Sequence, residues 1–251
     1  MLGEKAVFAM DLPVYRIVEG RRPAGLTVPE PPPSPASSVL GEYFAQAAYL
    51  EAASALAYAR LGRELELHGA PQRLVEGCGR ARVAELRHAR LLGQLADRFG
   101  VRPVTPTAER LPVRSLVDIA LVNIVEGFVR TTYGATAAQY RASSAEDGDV
   151  RDVMREIARD EFTHAELAFD IAVWLQSEID PVEGVWVESA MREAVFSLAR
   201  ELDVEVAPEL TEVAGVPPRV DALEIWSNLS KRVWHGLADR VWNSPLWFDA
   251  A

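Results

Sequence analysis

Six residues of this chain stand at spacings that suit metal chemistry. Glu85 and His88 are three positions apart, and so are Glu161 and His164. Residues i and i+3 share one helix face, so each pair presents a carboxylate and an imidazole to the same point. A lone glutamate leads each pair at nearly the same interval. Glu51 lies 34 residues before Glu85, and Glu126 lies 35 before Glu161. One such pair is weak evidence, because glutamate is common on helices. Two, each led by a glutamate in the preceding helix, make a specific pattern: four carboxylates and two imidazoles, a set that holds two metal ions inside a four-helix bundle.

The surroundings agree. Glu51 sits among Ala47, Ala48, Ala52, Ala53 and Ala55, and Glu126 among Ile119, Val122, Val125 and Val129. Carboxylates on inward faces need compensating cations, and two divalent ions supply that charge. Glutamate can bridge two ions or serve one. Glu85 and Glu161 are therefore expected to bridge, Glu51 and Glu126 to be terminal, and His88 and His164 each to serve one ion. Mixed oxygen and nitrogen donors suit iron or manganese better than soft metals. The expected cofactor is two iron ions, with Mn/Fe and Mn/Mn as alternatives.

The repeat extends to tyrosines. Tyr58 follows Glu51 by seven residues and Tyr133 follows Glu126 by seven. They are candidates for hydrogen bonding to the ligands or for redox work, although core tyrosines with satisfied hydroxyls are the plainer expectation. Arg130, four after Glu126, either pairs with a carboxylate or points outward. Tyr49 and Asn123 are weaker candidates to support the ligands. Asp160 and Glu166 flank the second pair but fall elsewhere on a helical wheel. His68 and His235 read as surface histidines, and Cys78 as a small filler.

Long helices must position these groups. The first is expected over Val39 to His68, capped by Ser37 or Ser38, and the second over Pro71 to Phe99, ended by Gly100. A third spans Val113 to Ala142 with Ser115 as cap, and a fourth Asp149 to Glu178, stopped before Pro181. Each is about 45 Å long at the standard helical rise. Short turns make each consecutive pair an antiparallel hairpin. Between the hairpins, Val101 to Pro112 carries three prolines and reaches roughly 40 Å when extended, enough to run back along most of a bundle.

Residues 1–37 form an extended proline-rich arm, ending in Pro29 to Pro35. Residues 38–180 form the bundle, and 181–251 a helical extension. There Val182 to Leu202 and Val220 to Trp242 read as helices, with Pro208 to Pro218 a linker. Trp226, Trp234 and Trp242 recur every eight residues, a stripe that suits packing against the bundle or a second copy better than a ligand box.

Bulk properties narrow the function. The 251 residues are 49% hydrophobic and 25% charged, a globular profile. A net charge of −11 argues against a nucleic-acid partner, which needs clustered Lys and Arg. The single cysteine excludes an internal disulfide. Nothing near Met1 resembles a signal peptide. The most apolar window, Leu116 to Val129, is broken by Asp118, Asn123 and Glu126 and cannot span a membrane. A cytoplasmic location with no membrane partner is expected.

On these residues the chain resembles the ferritin-like superfamily over about residues 38 to 180, through Glu51, Glu85, His88, Glu126, Glu161 and His164. Leu50-Glu51-Ala52-Ala53-Ser54, Val125 to Arg130 and Asp160 to Glu166 look like those of a bacterial ferritin-like group. The resemblance implies an all-α, ferritin-like four-helix bundle with one long crossover and additional C-terminal helices. The superfamily includes ferroxidases, peroxide-reducing rubrerythrins, ribonucleotide reductase small subunits and oxygenases, so it implies a cofactor rather than a reaction. One cysteine cannot build the four-cysteine iron centre of a rubrerythrin. The acidic charge departs from the basic surface expected of a transfer-RNA hydroxylase. Some 70 residues beyond the bundle depart from a compact storage ferritin.

The expected function is a non-haem dimetal, diiron oxidase or oxygenase whose partners are dioxygen and a small organic substrate, with an electron donor and a homodimer compatible with it. The alternative is a ferroxidase, iron-handling or peroxide-detoxifying protein.

Overall fold

The computed structural model describes residues 21, 26–27, 38–109 and 111–235. The rest of the proline-rich arm, and Trp242 of the tryptophan stripe, lie outside the described residues. Within them the chain is all-α apart from one two-residue ladder.

Helix α1, Val39–Leu67, begins where Ser38 accepts the Gly41 N–H at 3.0 Å. The same hydroxyl donates to the Phe99 carbonyl at 2.8 Å, tying the start of α1 to the end of α2, Gln72–Arg98. Between them the chain reverses at Gly69, whose φ of +74° suits a residue without a side chain. The turn is short, so α1 and α2 form an antiparallel hairpin.

The connection to the second hairpin is extended. It leaves α2 with Val101 against Gly41, at the start of α1. It arrives with the Pro112 carbonyl accepting from Arg60, and with Arg114 clamped on Glu64, near the end of α1. The segment therefore runs the length of the first hairpin, as its reach predicts. Midway, β2 (Thr107–Ala108) pairs antiparallel with β1 (Leu26–Thr27).

The third helical stretch departs from expectation. One uninterrupted helix is predicted, but the stretch is three pieces: α3 (Leu116–Val122), a π-helical segment (Asn123–Arg130) and α4 (Thr131–Ser144). A π-helical turn, bonded i to i+5, is wider than an α-helical one. Threonine hydroxyls supplement its hydrogen bonds. Thr131 donates to the Glu126 carbonyl at 3.1 Å, and Thr132 to the Phe128 carbonyl at 2.6 Å. Periodicity misses such a segment because apolar spacing shifts by only one residue.

Helix α5, Gly148–Glu178, is capped by Asp147 and returns antiparallel to α4. The two hairpins meet through α2 and α5. Helix α6, Pro181–Leu202, opens on a capping box between Asp180 and Glu183. The expected linker after residue 207 instead contains a short helix, α7 (Pro208–Glu212). Helix α8, Arg219–Leu229, runs into a second π-helical turn, Ser230–Trp234. Trp234 is wholly buried, and Trp226 donates to the Val195 carbonyl at 2.8 Å. These two tryptophans pack on their own chain.

Two apolar clusters make the core. One gathers Leu61, Leu65, Ile119, Ile124, Phe128, Ile171 and Trp234. The other gathers Phe44, Leu92, Leu95, Met154 and Ile157. Each fully buried Leu or Ile contributes roughly 1.5–3 kcal/mol. Glu51, Glu85 and Glu161 fall along their helices between residues of the two clusters, so polar groups occupy the seam where apolar packing changes over.

Candidate metal centre

Glu51 comes from α1, Glu85 and His88 from α2, and Glu161 and His164 from α5, and all five are buried. Ligand atoms of Glu51, Glu85, His88 and Glu161 all lie within 4.8 Å of one another. His88 Nδ1 stands 3.6 Å from Glu51 Oε2, 3.7 Å from Glu85 Oε2 and 3.8 Å from Glu161 Oε1. His164 Nδ1 stands 3.4 Å from Glu85 Oε1 and 3.1 Å from Glu161 Oε1. Glu85 thus turns one oxygen to each imidazole, and Glu161 Oε1 is shared between them. The imidazole rings are 6.1 Å apart.

Glu126 sits on the π-helical segment, half-buried, with Oε1 4.0 Å from Arg130 Nε. It lies outside the tight group of four.

Glu51 Oε2, Glu85 Oε2 and His88 Nδ1 are buried with no hydrogen-bond partner. Buried polar atoms are normally satisfied, and leaving one unpaired costs about 1–3 kcal/mol. Three orphans facing one another are what a cation would satisfy. The residues therefore fit a metal, and this buried group can hold one.

Without a metal, protons must do that work. Burial raises the Glu85 carboxyl well above the usual range, and the negative charges of Glu51 and Glu161 raise it further. Burial also pushes Glu51 upward, but its interactions with Glu85 and His88 outweigh this and hold it below its ordinary value. For His88, burial alone would lower the pKa. The facing carboxylates of Glu51 and Glu85 override it and lift the imidazole to about 11.

Asp160 needs correcting. A helical wheel turns it away from the site, yet its Oδ2 accepts from His88 Nε2 at 2.8 Å. It belongs to α5 but serves a histidine on α2, a relation no single-helix wheel contains. Arg87 binds the same Asp160 oxygen. Burial would raise the Asp160 carboxyl, but His88 and Arg87 together keep it low and ionised. With Nε2–H given to Asp160, Nδ1 is the atom aimed into the site. Glu166 is exposed, as expected.

The other candidates divide. The Tyr58 ring tilts against the His164 ring at 5.3 Å. Its hydroxyl is buried without a partner, contrary to a satisfied core tyrosine, and burial pushes its pKa far up. Tyr133 instead lines a small cavity of about 20 Å³ with Tyr43, Arg141 and Leu202. Tyr49 is buried, and burial raises its pKa. Asn123 donates to the Ala168 carbonyl at 2.8 Å and accepts from Arg21 at 3.0 Å. Arg130 pairs with Glu201 at 2.6 and 2.8 Å, and its Nε lies 4.0 Å from Glu126 Oε1. His68 and His235, expected at the surface, are half-buried and bond to the carbonyls of Arg114 and Ser230. Cys78 is a buried filler, and burial lifts its thiol to about 11.

Sequence reasoning missed Arg21, Ser54, Asp160 and Glu201. Only Asp160 carried a usable signal, its place beside a ligand.

No protein-family model, curated protein or solved structure matches the chain. Fold and site therefore define its class: an all-helical protein with a buried glutamate–histidine group able to hold metal. Among the described residues no helix is long and apolar enough to cross a membrane.

Proposed function

We propose that this is a ferritin-like dimetal protein, its two hairpins and crossover forming the four-helix bundle of that superfamily, and that it is an oxidoreductase using dioxygen on a small organic substrate. One observation carries the reading: Glu85 and Glu161 lie between two imidazoles whose Nδ1 atoms both face them. Such a set would suit two metal ions sharing the two carboxylates. Glu51 and His88 would serve one ion and His164 the other, with Glu126 its terminal carboxylate by the half-repeat. Two iron ions held there would supply electrons to dioxygen.

The chain's own residues supply the rest. Asp160 fixes the His88 tautomer and ring orientation. The flanking apolar clusters keep bulk water from the carboxylates, strengthening every charge interaction inside. Glu126 sits in wide-turn helix, a kind of backbone frequent at functional sites, which supports turnover over storage.

A ferroxidase is the second reading, favoured by the net charge of −11, which attracts ferrous ions. An open groove lined by Glu76, Arg80, Val83, Arg87 and Asp160 also brings solvent to the carboxylate that holds His88.

Anaerobic loading with ferrous iron, followed by air and an iron count per chain, separates these. A plateau near two is expected of a closed dimetal centre. Uptake well beyond two would mean iron handling, and no tight binding by folded protein would remove the dimetal reading. Metal analysis of the protein as purified distinguishes Fe/Fe from Mn/Fe and Mn/Mn.

A further inference from the structure

Arg114 and Arg130 are each matched by a two-pronged carboxylate partner, Glu64 and Glu201. Arg21 is 4% exposed and has no such partner among the described residues. Its guanidinium lies 4.7 Å from the Tyr58 ring centroid, and Nη2 donates to Asn123 Oδ1 at 3.0 Å. Asn123 is held in that orientation because its Nδ2 is committed to the Ala168 carbonyl. Gly127 completes the cradle. A Cβ there would fall 2.0 Å from Arg21 Nη2 and 2.5 Å from Cζ, so the space exists only because the residue is glycine. Arg21 Nε and the Tyr58 hydroxyl remain buried and unpartnered.

We propose that the space filled by Arg21 is a binding pocket for an organic cation, a guanidinium or primary-ammonium compound, with Arg21 as its tethered occupant. An aromatic face and a fixed amide oxygen recognise a cation without fixing it permanently. Arg114 and Arg130 each hold a carboxylate through two guanidinium nitrogens, whereas Arg21 meets one neutral amide oxygen, and leaving Nε orphaned weakens the hold. At the backbone, the Ser54 hydroxyl accepts the Arg21 N–H at 2.7 Å and donates to its carbonyl at 3.2 Å. Tyr58, which forms the pocket's aromatic face, also packs on His164, so the pocket adjoins the metal-site residues. An organic cation is then the substrate class of the proposed oxidation. That last step rests on the dimetal reading; the pocket does not.

The test uses metal-free, full-length protein, so its result is independent of the iron count. Calorimetry measures binding of propylguanidinium, an arginine side-chain mimic, and of propylurea, its neutral counterpart of similar shape. Removing a competitor that fills the pocket most of the time should tighten propylguanidinium binding roughly tenfold or more in R21A. Propylurea should not bind. R21A/G127A, with a methyl in the cation's place, should lose binding. In wild-type protein, saturating propylguanidinium should speed hydrogen exchange at the Arg21 amide. The proposal is overturned if folded R21A does not take up propylguanidinium, if it takes up propylurea equally, or if wild-type exchange is unmoved. Should R21A fail to fold, the wild-type exchange measurement decides alone.

Discussion

His88 faces carboxylates at Nδ1 and is hydrogen-bonded to Asp160 at Nε2, and the two sides have separable consequences. Asp160→Asn would keep the size of the side chain but lose its charge. A partner of this kind typically supports metal affinity by roughly 10–100-fold. Titration of D160N with Mn(II) should show one site weakened by about that factor, with helicity unchanged by circular dichroism; unaltered affinity would leave Asp160 without a metal role. The pH response follows from the same residues. His88 is lifted to about 11, so the stability its charge contributes is complete below the ordinary histidine value of about 6.5 and lost as pH rises toward 11. Glu85 is also raised, so its contribution drains in the same direction once pH passes its unfolded value. Glu51 is lowered, and its contribution is lost only toward acid. The Tm of metal-free protein should therefore fall between pH 6.5 and 10, and bound Mn(II) should flatten the fall by replacing those protons.

At the scale of elements, the π-helical segment lies between Arg21 of the N-terminal arm and the C-terminal helix α6. Its outer contact is Arg130 with Glu201 of α6. The pair is partly exposed, so solvent screening limits its worth, and Glu201→Gln should cost about 1 kcal/mol in chemical unfolding. Its inner contact is Gly127 against Arg21. Gly127→Ala gains helix propensity of about 1 kcal/mol but must expel the guanidinium. The net change should be small, and R21A, costing about 1 kcal/mol alone, should cost almost nothing when added to G127A. Additive effects in that cycle would show that the two residues do not meet.

For the whole molecule, the centre ties α1, α2 and α5 together, so metal binding is a folding term. A site at 100 times its dissociation constant adds about 2.7 kcal/mol to stability. Adding a chelator should lower Tm, and the loss should track the metal removed; an unchanged Tm would mean the group is structural without metal.

The legible part of this protein was its ligands and long helices. Glu85 with His88 and Glu161 with His164 were readable because helical periodicity makes three residues a fixed direction, and Ser38, Gly69, Gly100 and Ser115 mark helix ends by local chemistry alone. The crossover's path was readable from its prolines and length. Whatever depends on one helix face or one turn could thus be read directly: an all-α chain, hairpin by hairpin, with carboxylates and imidazoles in matched pairs. Tertiary structure alone decided which faces meet. Asp160 on one helix serves His88 on another, Arg21 is seated 102 residues from Asn123, and Glu201 comes back to Arg130. These are relations between distant segments, set by packing, and no local spacing encodes them. The π-helical segment belongs with them: its wide turn is stabilised by Thr131 and Thr132 within and by Glu201 from outside, with Gly127 giving Arg21 its place.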